Sequence, residues 1–118
     1  MTLDGFFEGW DEARRLFEVI RGVVDEFGPV DLRAGKSQIA FTRRRAFAWA
    51  WIPDRYLHGA HAPLVLTLSL RRHDASPRWT QVVEPAPGRF THHLELHGPE
   101  DIDAEVRAWL SEAWESAA

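Results

Sequence analysis

The chain has 118 residues and 45% hydrophobic content, enough for one domain around one core and too apolar for general disorder. Its longest apolar run, Ala46 to Ile52, is far short of the ~18 residues a membrane helix requires, and the lack of cysteine removes disulfides, thiolate metal sites and cysteine nucleophiles. Eighteen acidic residues against fourteen basic ones give a net charge of -4, which disfavours nonspecific nucleic-acid binding while leaving room for a local basic patch.

The opening Met-Thr-Leu-Asp-Gly has neither the basic start nor the long apolar core of a secretory leader, so a cytoplasmic location is the expectation. Leu3, Phe6, Phe7 and Trp10 follow at helical spacing, with Thr2 as N-cap. A second start near Asp11 leads into the stripe Leu16, Phe17, Ile20, Val23, Val24 and Phe27, which Gly28-Pro29 ends. Period-two alternation then predicts strands at Val30–Leu32, Ile39–Phe41 and Phe47–Trp51, with the arginine run 43–45 at a hairpin turn. Leu64, Leu66, Leu68 and Leu70 give the cleanest alternation in the chain. Residues 73–89, with three prolines and a glycine, read as a long loop of the kind that often carries function. Phe90 to Leu96 form a last strand, and Gly98-Pro99-Glu-Asp opens a final helix with the stripe Ile102, Val106, Trp109, Leu110, Ala113 and Trp114.

Helices, then strands, then a helix argue a single α+β domain over residues 1–118: a two-layer sandwich. A mostly antiparallel sheet of about five strands would carry the N- and C-terminal helices on one face. That face is expected to hold Phe47, Trp49 and Trp51 with the four leucines, a core reading favoured over a pocket-lining one. The opposite face would then be rich in small residues (Ala48, Ala50, Thr67, Ser69), suited to a homodimer.

Lys36 is the one lysine beside thirteen arginines, and it heads the strand-rich segment; it is a candidate ligand contact against a solvated edge lysine. Arg43 and Arg45 at the turn could hold a phosphate or carboxylate, or simply solvate the turn. Trp79 in the long loop would offer a flat apolar contact. His93, Glu95 and His97 alternate on one strand face, a set of side chains suited to zinc or iron if they converge. His92 points to the opposite, apolar face as a satisfied core histidine, and His58 and His61 lie in a loop that folding alone could bring to a site. No hydrolase elbow, phosphate loop, zincin signature or dinucleotide fingerprint is present.

The segments Lys36-Ser-Gln-Ile-Ala-Phe-x-Arg-Arg-Arg-Ala-Phe-Ala-Trp, Ala62-Pro-Leu-Val-Leu, Ser76-Pro-Arg-Trp, Glu84-Pro-x-Pro-Gly-Arg-Phe-x-His-His-Leu-Glu-Leu and Asp101-Ile-Asp-x-Glu-Val-x-x-Trp-Leu together resemble the bacterial domain-of-unknown-function family 5655, over roughly residues 11 to 115. The resemblance implies small stand-alone proteins or C-terminal modules, some beside nuclease-like or restriction-like domains and some labelled "predicted transport protein". It brings no mechanism, ligand or cofactor. The resulting expectation is a cytoplasmic, non-enzymatic binding or accessory module, with no cofactor and no membrane partner. Lys36, Arg43, Arg45 and Trp79 would contact a small anionic ligand, a nucleic-acid element or a protein, with His93 and Glu95 joining if the open sheet face takes part. A metal carrier or metal-assisted hydrolase on His93, Glu95 and His97, and a structural homodimer, are the alternatives.

Overall fold

The apolar stripes build three helices and a six-stranded sheet. The structure is a computed structural model that describes residues 1–57, 59 and 61–118. His58, one of the loop histidines, lies outside the described residues. Helix α1 (Leu3–Phe7) starts where Thr2 Oγ1 accepts the Gly5 amide at 3.0 Å and buries Phe6 and Phe7. Helix α2 (Asp11–Asp25) carries Asp11 and Glu12 in its first turn, where free amides favour negative charge, and buries Leu16, Phe17, Ile20, Val23 and Val24. Six strands follow: β1 (Asp31–Ala34), β2 (Ile39–Thr42), β3 (Ala46–Trp51), β4 (Leu64–Leu70), β5 (Gln81–Ala86) and β6 (Arg89–Leu96). Pro99–Asp101 forms only a single 3-10 turn. Helix α3 (Ala104–Ser116) starts after it, capped by Asp103, whose Oδ1 accepts the Val106 amide at 3.1 Å.

The sheet order is β1-β2-β3-β4-β6-β5 and every neighbouring pair is antiparallel. The sixth strand, β5, lies inside the stretch that sequence punctuation reads as a loop. It pairs with β6 through Gln81↔His93, Val82↔His92 and Val83↔Thr91, then slips one residue to Ala86↔Arg89. Pro85 sits in this slip on an edge strand, where no ladder donor is required of it. Pro87 and Gly88 close the hairpin, with Gly88 at φ 75° as a proline–glycine turn requires.

The faces of β3 differ from the alternation in the sequence. Phe41 pairs with Ala48 but Thr42 pairs with Ala46, so Phe47 is an extra, bulged residue. Phe47 and Ala48 are consecutive and both buried, and Phe47 packs on Phe41 with ring centroids 6.4 Å apart. Beyond the bulge Ala48 and Ala50 lie beside Leu68 and Leu66 on the helix-covered face, while Trp49 and Trp51 face outward beside Thr67 and Val65. The expected Phe-Trp-Trp core row is therefore split. The open face also loses the two alanines on which a small-residue dimer surface depended.

The core lies between this alanine- and leucine-bearing face and the stripes of α2 and α3. Trp114 ties several parts together. Its Nε1 donates to Pro29 O at 3.4 Å, its ring lies 6.1 Å from that of Phe27, and the Arg43 guanidinium stacks 3.5 Å from its centroid. Gly28, at φ 144°, leaves no room here: a Cβ would stand 2.8 Å from Trp114 Cζ2. Gly28→Ala is therefore expected to destabilise the fold by about 2 kcal/mol in urea unfolding. Gly22→Ala, inside α2 with open space around it, should stabilise it by up to about 1 kcal/mol.

Candidate functional site

The outward turn of Trp49 and Trp51 creates a shallow cup of about 420 Å³ on the helix-free face of the sheet. The two indoles share it with Ser37 and Gln38 from the β1–β2 turn, Tyr56 from the segment after β3, and Thr67, Thr91 and His93 from the central strands. Its wall is mostly apolar. Tyr56 is 52% exposed. Thr67 joins two of the lining groups: its Oγ1 accepts Trp51 Nε1–H at 3.1 Å and lies 2.8 Å from His93 Nδ1. The indole can only donate, so the hydroxyl accepts from it and can donate its own O–H to Nδ1. Burial lowers the His93 pKa from its ordinary value, which keeps the imidazole neutral near pH 7.

A second concavity of about 310 Å³ adjoins the cup and shares Trp49 and Thr91 with it. Arg45, Arg71 and Arg89 stand around it. The pairing that sets Leu70 beside Phe90 ends there, and Arg71 and Arg89, the next residue on each side, both line this concavity. Arg45 and Arg71 both donate to Ser116 O, at 3.1 and 3.2 Å. Among the described residues none of the three lies within ion-pair distance of a carboxylate. The charge of Arg89 foremost, then burial, then Arg71 pull the Arg45 pKa down.

The other candidates from the sequence are dispersed. Lys36 is exposed in the β1–β2 turn, which Gly35 N closes on Gln38 O at 2.9 Å; its neighbours Ser37 and Gln38 line the cup but Lys36 does not. Arg43 is committed to α3, stacked on Trp114 and donating to Trp114 O at 3.1 Å, so the arginine turn is a helix clamp and not a merely solvated loop. Glu95 accepts the Ala62 amide at 3.4 Å and stands 4.0 Å from His97 Nε2. His97 lies beyond the end of β6, and His93 is engaged by Thr67. Among the described residues no three histidine, aspartate or glutamate side chains converge as metal ligands, so the expected His93, Glu95 and His97 set does not assemble.

A family model described as "Domain of unknown function (DUF5655)" matches residues 3–117. The chain belongs to that family. Comparison with curated proteins and with solved structures gives no match.

In this DUF5655 domain the segment between β4 and β5 has a structural task, which corrects the expectation for Trp79. Its indole is buried, 4.2 Å from the Trp109 ring and 4.8 Å from the His92 ring, and so offers no flat contact to a partner. The apolar stripe of α3 supplies the surface that draws it inward. Trp79 Nε1 donates to Asp74 Oδ2 at 2.9 Å, and Arg72 bridges Asp74 and Glu112 at 2.8 Å each. Arg78 holds Asp103 and Glu105 at the start of α3. His92 is fully buried and satisfied: Nε2 accepts the Asp74 amide at 3.0 Å, which leaves Nδ1–H to donate to Phe90 O at 3.2 Å.

Sequence reasoning missed Thr67, Tyr56, Arg71 and Arg89 as site residues. Arg71 and Arg89 flank predicted strands, and knowing that the last strand pairs with the leucine strand would have placed them together. The signal was a pairing partner, not a motif.

Burial raises the Asp74 carboxyl, but hydrogen bonds from Trp79, Ser76 and Arg72 outweigh it and hold the pKa at about 2. A carboxyl held below its unfolded value of ~3.9 contributes stability that is present above that value and lost as pH falls through about 2. Asp74→Asn is therefore expected to cost about 1–2 kcal/mol at pH 7. Urea unfolding at a series of pH values should show the difference from the parent shrinking between about pH 4 and pH 2.

Proposed function

We propose that this domain is a non-enzymatic binding module whose ligand site is the helix-free face of the sheet, with a planar ring seated on Trp49, Trp51 and Tyr56. The observation that carries this reading is the outward placement of two tryptophans on a strand whose alternate residues Ala48 and Ala50 are buried. Large aromatics left half-exposed in a concavity offer wide contact area with few rotamers to immobilise. The cup's volume of about 420 Å³ falls in the range of roughly 300–1,000 Å³ typical of small-molecule sites. Thr67 and His93 supply polar atoms for the edge of a ring, and the exposed Lys36 sits next to the lining residues Ser37 and Gln38.

Binding without catalysis is supported by the chemistry of the lining. Among the described residues it contains one imidazole, one phenol and no carboxylate. Acid–base or nucleophilic catalysis requires an activating partner within hydrogen-bond reach, and the His93 ring is met by a threonine hydroxyl that also holds an indole.

Adenosine is a suitable uncharged probe. Titration should shift the indole N–H resonances of Trp49 and Trp51 and leave that of Trp109 in place. Trp51→Ala, checked by thermal unfolding to be folded, should weaken adenosine about tenfold or more, the value of one lost stacking contact. Absence of any shift at Trp49 and Trp51 with adenosine, indole and other uncharged heteroaromatics would remove the cup as a ligand site.

A further inference from the structure

We infer that the ligand of the open face is a nucleoside phosphate, its base on Trp49 and Trp51 and its phosphate held by Arg45, Arg71 and Arg89. The inference rests on the ring-binding reading of the cup and adds the chemical class of what occupies it. Three observations carry it.

First, the arginine corner and the aromatic cup are one continuous surface, since Trp49 and Thr91 belong to both. Arg89 stands four residues along β6 from His93, a span of about 13 Å. A ribose, a phosphate and an extended guanidinium side chain cover that span.

Second, the corner holds more positive charge than the fold uses. Elsewhere the protein sets Arg14, Arg72 and Arg78 directly on carboxylates. Here Arg45 and Arg71 share one carbonyl, that of Ser116, and the Arg89 side chain has no hydrogen-bond or ion-pair partner among the described residues. The C-terminal end of a helix offers the equivalent of about half a negative charge. That leaves most of three positive charges unopposed. Like charges lining one concavity are unfavourable, and a dianion between them reverses the sign.

Third, guanidinium geometry selects the anion. Its planar fork matches phosphate oxygens in pairs, and three forks around a concavity of about 310 Å³ suit a group with three terminal oxygens. A net charge of -4 and a single such corner favour one small anion over a polyanion, whose affinity depends on neutralising many phosphates along a track.

Calorimetric titration with AMP, adenosine, inorganic phosphate and a short single-stranded oligodeoxyadenylate tests this. AMP is expected to bind the parent protein about tenfold or more tightly than adenosine at low salt, with the preference shrinking as salt rises. Inorganic phosphate should compete with AMP. Arg89→Ala, a change at an exposed residue, should bring the AMP-to-adenosine ratio to within about threefold, and Arg89→Lys should restore part of it. Equal affinity for AMP and adenosine, with Trp51 still responding, would overturn the inference and leave the ring site standing. No response of Trp49 or Trp51 to either ligand would overturn the reading beneath it. An AMP preference that survives Arg89→Ala and Arg71→Ala would overturn the phosphate's location, and an oligonucleotide binding much more tightly than AMP would replace the small ligand with a nucleic-acid interface.

Discussion

A single inserted residue in β3 decides what each face of the sheet is made of. Side chains on a strand alternate, so one extra residue exchanges the two faces from that point onward. Phe47 takes up the insertion and stays inside against Phe41. After it, alanines at positions 48 and 50 meet the helices and tryptophans 49 and 51 meet solvent. Beyond Phe47 the helices can approach β3 closely because methyl groups stand at positions 48 and 50, and the leucines of β4 fill the remaining depth. With the bulge removed, two indoles would have to enter that space and two methyl groups would be left outside.

The arginine turn that follows β2 links this arrangement to the end of α3. Arg43 donates to Trp114 O, Arg44 N to Ala117 O and Arg45 to Ser116 O. The last carbonyls of a helix have no partners of their own, and cations near them are favourable. Hairpin and helix therefore fix one another, and the corner beside the aromatic cup is built from both. Trp114, held between Arg43 and Gly28, carries the same tie across to the end of α2.

Most of the architecture was legible in the sequence. The stripes of α2 and α3 and the leucine alternation of β4 follow from periodicity, and the antiparallel α+β layout from the order of the elements. Four things were not legible, each for a physical reason. A bulge leaves no mark on an alternating string, so Ala-Phe-Ala-Trp-Ala-Trp read as one uninterrupted row. Prolines 85 and 87 signal a loop, yet an edge strand with a slip in register accommodates the first and a turn the second. The meeting of Arg71 with Arg89 depends on β6 pairing with β4 ahead of β5, a choice among non-local partners that local pattern does not express. Trp79 was misplaced because a tryptophan in a polar, proline-containing segment looks exposed until the stripe of α3 is seen to lie beneath it.

The stacking of Trp79 on Trp109, 4.2 Å apart and tilted by 37°, has an optical consequence. Indoles that close couple their electronic transitions and give a paired band of opposite signs in ultraviolet circular dichroism. The docked segment thus carries its own chromophore, separate from the tryptophans of the open face. Loosening of residues 71–80 from α3 would extinguish that band while the helical and strand signals persisted, so the protein reports the seating of this one segment without any label.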